Sequence, residues 1–475
     1  MSNFFKSILN LNRFRSDEAI EINSKIVTYD NLEVLILKTI KQFQKIGIKE
    51  GNIVSCFCPR NEYYCVIVLA LLRMKAIFLP LDIHQPVIRV KKILEEVRPF
   101  TTIIFDSKLK NELGSCLFID YEKDLFEIHG KVASYSKQYD NLMYIIYTSG
   151  TTGKPKGVEI SRNAFQNFYD NMLTIFQLNS KDIFLFLTSI SFDISLFEFL
   201  VPLSIGAKVY IVGEKEKNPY FIGKRIKESN ISILQLTPSL MELLITYQRN
   251  LDWMFGVKKI LLGGEDLPLQ LLKKIKMHYK GEIYNLYGPT EATIWCSYEN
   301  LTDSNFITIG KFFEGVKYKL YEISSDYFEL ILYGRQNMSG YHNELSSTAT
   351  EYRTGDLFRK HGNKLVFVGR NDSLIKLNGY RIDLSEINDC IKSISSIKSS
   401  VTLYDNLNKR IISFCIGESD VTRKDVLLYL KKVLPNYMIP TDILFLNEFP
   451  LTINKKINKL KLLEEYTQYE KIRSV

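Results

Sequence analysis

Hydroxyl, glycine and lysine side chains are concentrated in one short stretch of the sequence, Tyr144 to Gly157, which reads YIIYTSGTTGKPKG. Its first residues, Ile145 to Tyr147, are typical of the end of a buried strand. Hydroxyl donors then alternate with glycines, whose backbone N–H groups can approach an anion closely, and two lysines follow. This chemistry predicts a loop that binds phosphate.

Two simpler interpretations of this stretch are a P-loop and a plain surface loop. A P-loop needs four residues between its first glycine and the Gly-Lys pair, followed by Ser or Thr. Here two residues intervene, and Pro155 follows Lys154. A flexible surface loop has a similar composition, because Gly, Ser and Thr also mark turns. Composition alone therefore leaves a phosphate loop and a plain surface loop open.

Helix and strand patterns alternate on both sides of this loop. Tyr63–Met74 is apolar over about three turns and predicts a helix, and Ala76–Leu81 predicts a strand. Further predicted elements are Thr101–Phe105, Asn163–Phe176, Ala207–Val212, Ile222–Glu228, Ile231–Leu236 and Lys258–Leu262. Strands that are apolar on both faces suit mostly parallel sheets flanked by helices, so the sequence predicts an α/β fold.

The pattern changes in the last third of the chain. From Tyr318 to Tyr333 it becomes closely spaced short strands without helices, which predicts a β-rich subdomain. After the strand predicted at Lys364–Val368, Gly369 and polar residues interrupt the pattern, and about a hundred residues remain for a small α+β domain. Because 475 residues exceed the size at which a single core stops growing, we expect two domains, 1–369 and 370–475.

The chain carries a formal charge of +9, and 46% of its residues are apolar. Its lysines and arginines are spread along the sequence without a run of five or more. Nucleic-acid binding is therefore not expected. A solvated surface and attraction to an acidic protein partner explain the excess charge equally well.

The seven cysteines are odd in number and show no Cys-x-x-Cys spacing. Cys56 and Cys58 alternate within a strand pattern, so we expect buried thiols rather than a zinc site. No stretch approaches 18 consecutive apolar residues, and the N-terminus lacks the apolar segment and cleavage site of a signal peptide. A cytoplasmic protein without a membrane span is predicted.

The phosphate-type loop resembles the signature of the adenylate-forming enzymes, the superfamily of acyl-CoA synthetases, luciferases and nonribosomal peptide synthetase adenylation domains. Seven further matches follow in the family's order over nearly the whole chain. They are Leu79–Asp82, Phe192–Ser195, Asn285–Glu291, Tyr352–Asp356, Gly369–Asp372, Leu434–Pro440 and Pro450–Lys456. The resemblance implies ATP and Mg²⁺ as cofactors and a large N-terminal domain with a small mobile C-terminal domain, hinged at Asp372.

The resemblance implies a set of nucleotide-binding residues. The loop would surround the β- and γ-phosphates, with Thr148 and Lys156 also catalytic. Glu291 would supply a carboxylate to Mg²⁺, which prefers few protein oxygens together with water and phosphate ligands. Asp356 would accept both ribose hydroxyls, because a carboxylate has two acceptor oxygens. The positions carried over for the nucleotide are Thr148, Ser149, Gly150, Thr151, Thr152, Gly153, Lys154, Gly264, Asn285, Tyr287, Gly288, Thr290, Asp356, Phe367, Arg370 and Lys376.

Four of these positions have individual roles in the resemblance. Asn285 would hydrogen-bond adenine and Tyr287 would stack on it. Phe367 stands where the family often has tyrosine, so a hydroxyl contact made there would be missing. Arg370 would reach the ribose or the phosphate from the hinge.

The C-terminal motif is the least regular of the matches. Where the family has Asn-Gly-Lys, a hydrophobic residue and Asp, this chain has Asn454-Lys-Lys-Ile-Asn458. Lys456 falls at the catalytic position, where its ammonium would bridge the substrate carboxylate and the phosphate. Lys455 replaces the family's glycine, and the alternative that Lys456 is one of many surface lysines stays open.

A second half-reaction, thioester formation after rotation of the C-terminal domain, is also implied. Gly379 matches the glycine that lines the tunnel for a pantetheine arm, although a turn glycine would serve as well. The acceptor would be the phosphopantetheine thiol of a separate carrier protein, since no carrier motif follows Lys456. We expect a stand-alone enzyme and a monomer.

The resemblance also bears on which acid is activated. In members that activate amino acids, the aspartate at the position of Asp193 pairs with the substrate ammonium, which fatty and aryl acids lack. A helix cap is the alternative role for this residue. The specificity positions carried over are Asp193, Ile194, Phe197, Gln235, Leu261, Gly263, Leu286, Ile294 and Trp295.

This set is similar to a cysteine-selecting pattern of the family, so cysteine is the candidate substrate. Serine or a small aliphatic amino acid stays open, because pockets that differ by one methylene discriminate weakly. D-alanine carrier protein ligases typically have cysteine where Gly263 stands, which argues against that group. The remaining alternatives are an acyl- or aryl-CoA ligase and a catalytically silent nucleotide-binding relative.

Overall fold

The computed structural model describes residues 3–130, 139, 141–149, 155–213, 216, 218–248, 251–344, 351–418, 421–451 and 457–473. The helices are α1 Phe4–Leu9, α2 Tyr29–Ile46, α3 Glu62–Arg73, α4 Val87–Val97, α5 Lys110–Leu113, α6 Arg162–Phe176, α7 Ile194–Ile205, α8 Pro219–Glu228, α9 Pro238–Tyr247, α10 Leu269–His278, α11 Leu384–Lys392, α12 Arg423–Val433 and α13 Lys459–Arg473.

The strands before the central loop are β1 Glu18–Ile22, β2 Lys25–Thr28, β3 Ile53–Cys58, β4 Ile77–Asp82, β5 Thr101–Ile104, β6 Cys116–Asp120, β7 Leu125–His129 and β8 Leu142–Thr148. Those that follow are β9 Lys156–Ser161, β10 Ile183–Phe186, β11 Lys208–Ile211, β12 Ile233–Leu236, β13 Lys259–Gly263, β14 Glu282–Tyr287, β15 Ser297–Asn300 and β16 Lys311–Phe312. The last are β17 Val316–Ser324, β18 Tyr327–Gly334, β19 Gly340–Tyr341, β20 Glu351–His361, β21 Lys364–Arg370, β22 Leu374–Leu377, β23 Tyr380–Asp383, β24 Ile397–Asp405, β25 Arg410–Gly417 and β26 Asp442–Phe445.

The chain divides into two compact units. The first comprises Met1–Ile83, Lys91–Thr148 and Lys156–Asn371, and the second comprises His84–Val90, Ser149–Pro155 and Asp372–Val475. The functions assigned from the sequence to residues 1–369 and 370–475, nucleotide binding and mobility, stay predictions.

Two large sheets form most of the first unit. One has the strand order β16-β15-β14-β13-β12-β10-β11-β1-β2, and the other has the order β19-β9-β8-β4-β3-β5-β6-β7. Their central pairs are parallel and their outer pairs are antiparallel. The expectation of mostly parallel sheets flanked by helices is confirmed, and the apolar strand patterns explain it, because such strands are buried on both faces.

Helices α3 and α7 lie in the core that the two sheets share. One apolar cluster joins Val54 and Phe78 of one sheet with Phe186 and Val209 of the other, together with both helices. Almost every residue of α7 is buried, as expected for a helix that is apolar all round. The helix ends at Gly206, whose φ of 84° is the left-handed conformation that suits a C-terminal glycine.

The β-rich subdomain differs in one respect from the sequence prediction. It is a four-stranded sheet in the order β17-β18-β20-β21. Its first two strands are nine and eight residues long and pair antiparallel along their length, whereas short strands were expected. Regular alternation over a long hairpin gives the same local pattern as several short strands, and only the pairing distinguishes them.

The second unit contains two smaller sheets, β22-β23 and β24-β25-β26. Asn378 and Gly379 form the turn of the β22-β23 hairpin and have φ values of 53° and 80°. An Asn-Gly pair with two positive φ angles is the preferred hairpin turn. The turn role considered for Gly379 is thus confirmed, while its role in a pantetheine tunnel stays a prediction.

Candidate functional site

The carboxyl-terminal parts of three adjacent parallel strands carry several of the predicted ligand-binding positions. Gln235 lies in β12, Leu261 and Gly263 in β13, and Asn285 and Tyr287 in β14. Ligands of open α/β sheets bind in the crevice outside these strand ends. The sequence positions therefore meet on one edge of the larger sheet.

Asp356, a predicted nucleotide-binding position, is held by two neighbouring side chains. Its carboxylate is 1% exposed and accepts a hydrogen bond from the Tyr287 hydroxyl, with 2.6 Å between the two oxygens. Its other oxygen pairs with Arg370, the residue directly opposite it in the β20-β21 ladder. Burial, followed by the charge of Asp356, raises the pKa of Tyr287, so the hydroxyl stays a donor. These contacts orient a carboxylate whose remaining lone pairs suit two ribose hydroxyls.

The predicted adenine site contains an amide whose nitrogen donates to a backbone carbonyl, and a glycine with no space for a side chain. The Asn285 amide nitrogen donates to the Thr308 carbonyl at 2.8 Å. This bond orients the side chain and leaves the acceptor oxygen of the amide for a ligand. At Gly288, a β-carbon would lie 2.5 Å from the α-carbon of Trp295 and 2.7 Å from the Ile294 carbonyl oxygen. Only glycine is compatible with this backbone contact.

Glu291 follows Thr290 in a short 3₁₀ turn and is fully buried. The Tyr341 hydroxyl donates to Glu291 Oε1 at 2.9 Å. The Lys156 ammonium lies 4.7 Å from the centre of the Tyr341 ring and 2.9 Å from Glu344 Oε1. Tyr341, which the sequence reasoning missed, thus connects the predicted metal ligand with a predicted catalytic lysine.

The residues around Glu291 fit a Mg²⁺ ion only if substrate phosphate supplies further ligands. Within the described part of the chain, no group of three or more His, Cys, Asp or Glu side chains could hold a metal ion. Mg²⁺ commonly uses one or two carboxylates and takes its other ligands from water and substrate phosphates. A single buried carboxylate is consistent with that arrangement.

Asp193 immediately precedes α7 and is 5% exposed. Although it occupies the N-cap position, its side chain makes no capping hydrogen bond, which argues against the helix-cap alternative. Burial raises the pKa of its carboxyl to about 6, despite hydrogen bonds from Thr290 and from the backbone of Ile194 and Ile294. Oδ2 has no hydrogen-bond partner among the described residues. The site therefore holds a buried carboxylate oxygen that a cation would stabilise.

The predicted specificity residues lie together in the apolar core. Ile194, Phe197, Leu261, Leu286, Ile294 and Trp295 belong to one buried cluster. The rings of Phe197 and Trp295 are in edge contact, with centroids 5.1 Å apart. A β-carbon on Gly264 would lie 3.5 Å from Ile194 Cδ1. Of this set, Ile194 and Ile294 contact Asp193 itself through backbone hydrogen bonds.

A buried amide holds the turn that carries two of these residues. Gln336 is fully buried, and its side-chain nitrogen donates toward the carbonyl oxygens of Ala292, Thr293 and Trp295. The Thr293 hydroxyl donates in return to the Gln336 backbone carbonyl at 2.7 Å. Thr293 and Ile294 have φ values of 58° and 70°, which are strained for residues with a branched side chain. No sequence motif pointed to Gln336.

Glu198, one turn into α7, is a second residue that sequence reasoning missed. It is 1% exposed and accepts hydrogen bonds from the backbone N–H groups of Leu187 and Thr188 and from the Thr188 hydroxyl, at 2.7–2.9 Å. Burial raises the pKa of its carboxyl to about 7. With its amide oriented to satisfy its neighbours, Gln235 donates to Glu198 Oε1 at 2.9 Å. Glu198 therefore fixes the orientation of a pocket residue.

Several predicted residues lie elsewhere or outside the described residues. Thr148 ends β8, and Phe367 packs in edge contact with Phe358. Ser149, Asp372, Lys376 and Gly379 belong to the second unit, where the Ser149 hydroxyl donates to the Arg381 carbonyl at 2.5 Å. Gly150, Thr151, Thr152, Gly153, Lys154 and Lys456 lie outside the described residues. The phosphate loop and the catalytic lysine stay predictions.

Two further expectations concern the cysteines and the membrane. All seven cysteines are free, six of them buried and Cys390 half-buried, so the expectation of buried thiols holds for all but one. Across the ranges that the structure covers, no helix combines the length and apolar character needed to cross a membrane.

Comparison with solved structures identifies the fold. The Vibrio cholerae adenylation domain AlmE, solved with glycyl-adenosine-5'-phosphate, superimposes with a TM-score of 0.84 at 20% identity, over 98% of each chain. A structure of a nonribosomal peptide synthetase protein containing adenylation and PCP domains gives a TM-score of 0.83 at 22% identity, over 98% of this chain and 84% of that one. The fold is that of an adenylation domain.

The sequence comparison defines the family. Residues 9–342 match the model of the AMP-binding enzymes, and the chain belongs to that family. It is 30% identical over 478 residues to bacitracin synthase 3 of Bacillus licheniformis, an alignment that covers 93% of this chain and 7% of the relative. The chain thus spans a small part of that relative. The predicted resemblance to adenylate-forming ligases of the nonribosomal peptide synthetase type is confirmed.

Proposed function

We propose that this protein activates an amino acid with ATP, forming aminoacyl-AMP and pyrophosphate, and then transfers the aminoacyl group to the phosphopantetheine thiol of a carrier protein. In the first step, a carboxylate oxygen of the amino acid attacks the α-phosphorus of ATP. The bond between the α-phosphorus and the bridging oxygen to the β-phosphate breaks, and pyrophosphate leaves with that oxygen. The site must neutralise the charge that this attack brings together.

The observation that carries the proposal is the unpaired oxygen of Asp193. A buried carboxylate without a cation is costly, and removing one partner of a buried ion pair typically costs about 3–5 kcal/mol. An α-ammonium group would supply the missing partner and a hydrogen-bond donor for Oδ2. A fatty or aryl acid would leave Asp193 in its unfavourable state. The site therefore favours an amino acid over the substrates of acyl- and aryl-CoA ligases.

Residues on the other side of the site support a role in binding ATP. Asp356, held by Tyr287 and Arg370, would accept the ribose hydroxyls, and Asn285 would bond the base through its amide oxygen. Glu291 would contribute one carboxylate to a Mg²⁺ ion, which would neutralise phosphate charge when bound. The Thr290 hydrogen bond to Asp193 would couple the two halves of the site, because Thr290 and Glu291 are adjacent.

The transfer step rests on the family and on the predicted tunnel and hinge residues, Gly379 and Asp372. Relatives of the nonribosomal peptide synthetase type and the solved protein that contains PCP domains support a carrier as the acceptor. The net charge of +9 would favour an acidic carrier. That the carrier is a separate protein, that the enzyme is a monomer and that it is cytoplasmic stay predictions.

The candidate amino acid is cysteine. Phe197 and Trp295 are fully buried in edge contact and limit the volume available, while Gln235 adds an amide. This combination suits a short side chain with polar character. Serine and small aliphatic amino acids are the competing substrates.

The test is amino-acid-dependent exchange of pyrophosphate into ATP with Mg²⁺, run across the proteinogenic amino acids and D-alanine. Wild-type protein should give signal with one or a few small amino acids, and Asp193→Asn should lose about a hundredfold or more in kcat/KM for them. Asp182→Asn is the matched control, because Asp182 is equally buried but already pairs with Lys258 at 2.9 Å.

Each alternative function predicts a different result in this assay. Exchange with fatty or aryl acids and none with amino acids would replace the proposal by an acyl- or aryl-CoA ligase. Silence with every acid would indicate a nucleotide-binding relative without this chemistry. Lys456→Ala tests the predicted catalytic lysine, and unchanged adenylation would remove it from the mechanism.

A further inference from the structure

The indole N–H of Trp295 is a buried donor without an acceptor. Trp295 is fully buried, and its ring packs between Phe168 and Phe197 at centroid distances of 6.1 and 5.1 Å. Its Nε1 has no hydrogen-bond partner among the described residues. Buried tryptophan N–H groups usually find a partner, so an orphan at a predicted ligand site needs an explanation.

The position of this N–H is set by Gly263. A β-carbon on Gly263 would lie 2.8 Å from Trp295 Nε1 and 3.2 Å from Leu286 Cβ. The indole nitrogen therefore lies directly beside the α-carbon of Gly263 in β13. Three predicted specificity residues, Gly263, Leu286 and Trp295, are neighbours at this point. A larger residue at position 263 would displace the indole ring. The N–H can occupy this position because Gly263 has no side chain.

The second polar group of the pocket, the Gln235 amide, is also set as a donor. When its amide satisfies its neighbours, Gln235 Oε1 accepts from the Leu236 backbone N–H at 3.3 Å, and Nε2 donates to Glu198 Oε1 at 2.9 Å. The oxygen is engaged inside the protein, and the second N–H of the amide is the group left for a ligand. Both polar groups of the pocket thus offer hydrogen rather than accept it.

We propose that the activated amino acid has a short, uncharged side chain that ends in a sulfur or oxygen acceptor, and that this atom receives the Trp295 N–H. The inference rests on the proposed function, since it concerns the side chain of the amino acid that Asp193 would hold. Asp193 is the only charged residue among the nine specificity positions. A carboxylate side chain would therefore lack a cation there, which restricts the class to thiol, hydroxyl and amide side chains.

Isosteric pairs of amino acids measure this hydrogen bond directly. Cysteine and 2-aminobutyrate differ by a thiol in place of a methyl group, and serine and 2-aminobutyrate differ by a hydroxyl in place of the same methyl group. Loss of one neutral hydrogen bond lowers affinity about tenfold, and an unpaired buried donor adds to this loss. Wild-type protein should prefer the polar member of the better pair by at least about tenfold in kcat/KM for pyrophosphate exchange.

The variant Trp295→Phe keeps an aromatic ring and removes the donor. Its preference for the polar member should fall to about twofold or less, because the ratio within a pair cancels general effects on folding and ATP binding. Trp253→Phe is the matched control. Trp253 is 3% exposed and its Nε1 is likewise without a partner, but it lies in a different apolar cluster. This control should leave the ratio unchanged.

A second measurement does not depend on activity or on the stability of the Trp295 variant. The chain has two tryptophans, so Trp253→Phe makes Trp295 the sole indole. Its emission should shift to longer wavelength when the polar member of a pair binds, and should shift less with the isostere. Gly263→Ala, which crowds Nε1, should abolish the difference between the two ligands.

The outcomes separate this inference from the proposed function. An equal response to both members, or a preference for the apolar member, would overturn the acceptor while leaving amino acid activation intact. A preference that survives in Trp295→Phe would also overturn it. Absence of exchange with every amino acid would instead count against the proposed function.

Discussion

The Tyr287 hydroxyl donates a hydrogen bond to the Asp356 carboxylate at 2.6 Å, joining two buried residues that are 69 positions apart in the sequence. Hydrogen bonds to charged groups contribute about 1.5–3 kcal/mol. Because this bond orients the proposed ribose acceptor, Tyr287→Phe should raise the KM for ATP about tenfold or more and change the KM for the amino acid little. Steady-state pyrophosphate exchange at varied ATP measures both constants.

Tyr284→Phe is the control for that substitution. Tyr284 is on the same strand and its hydroxyl also donates to a carboxylate, that of Glu282, outside the proposed ATP site. The KM for ATP should stay unchanged in this variant. Equal effects of both substitutions would mean that general destabilisation, not the ribose site, explains the result.

The raised pKa of Asp193 predicts a pH dependence. Burial raises this pKa to about 6, so the carboxyl of the unliganded enzyme protonates as the pH falls through 6 and loses its attraction for an ammonium group. The kcat/KM for the amino acid should therefore fall about tenfold per pH unit below that point, since this constant reports the free enzyme. The measurement is pyrophosphate exchange from pH 5 to pH 8 at saturating ATP.

In the variant Asp193→Asn, the fall in kcat/KM below pH 6 should disappear, whereas changes in kcat/KM that arise from other titrating groups should remain. Glu198 is another buried carboxyl beside the predicted specificity residues, with a pKa raised to about 7, and Glu198→Gln separates its effect from that of Asp193. A step near pH 6 that persists in Asp193→Asn would assign it to a different residue.

The contact between Tyr341 and Glu291 predicts a change in the requirement for Mg²⁺. Tyr341→Phe removes the hydroxyl that holds Oε1 at 2.9 Å but keeps the ring beside Lys156. The Mg²⁺ concentration for half-maximal exchange should rise about tenfold. The shift in melting temperature that ATP and Mg²⁺ produce together should move to higher Mg²⁺ concentration as well.

Tyr318→Phe, at an exposed position of β17, should behave as wild type in both measurements. If Tyr341→Phe lowered the rate at every Mg²⁺ concentration without moving the midpoint, Tyr341 would not position the metal ligand.

Gln336 predicts a coupling between stability and selectivity. Gln336→Met keeps the approximate volume and removes the donors to Ala292, Thr293 and Trp295. The two hydrogens of the amide nitrogen are shared among these carbonyls, and a buried carbonyl left without a donor costs about 1–3 kcal/mol, so the free energy of unfolding should fall by at least about 2 kcal/mol. Since the turn also positions Ile294 and Trp295, discrimination among amino acids should weaken in the folded fraction.

Urea unfolding and exchange with the amino acid panel test this prediction. Gln248→Met is the control, because the Gln248 amide also donates to backbone carbonyls, at 2.8 and 3.0 Å, but from a half-buried position. It should cost about 1 kcal/mol or less and leave selectivity intact. Loss of stability with full selectivity would restrict Gln336 to a structural role.

Local patterns were sufficient to predict the α/β class and the positions of the main elements. Apolar strands and amphipathic helices are short-range features, so β12, β13 and α6 lie within a few residues of their predicted ranges. Motif order was sufficient to predict the family. It also put Asp193, Gly263 and Trp295 into one predicted specificity set, and the structure places Gly263 directly beside Trp295 Nε1.

The long-range contacts depended on the tertiary structure. Gln336 and Tyr341 act on residues more than 40 positions away, and no local pattern encodes which carbonyl or carboxylate they reach. The sequence allowed two roles for Asp193, a helix cap and a partner for the substrate ammonium. Only the packed core showed that this carboxylate is buried and that its Oδ2 has no hydrogen-bond partner among the described residues. The residue types at the predicted specificity positions indicated an apolar pocket with one amide group, that of Gln235. Which hydrogen-bonding groups lie at this place depended on the backbone: Trp295 directly follows the strained turn at Thr293 and Ile294, and its Nε1 lies beside Gly263.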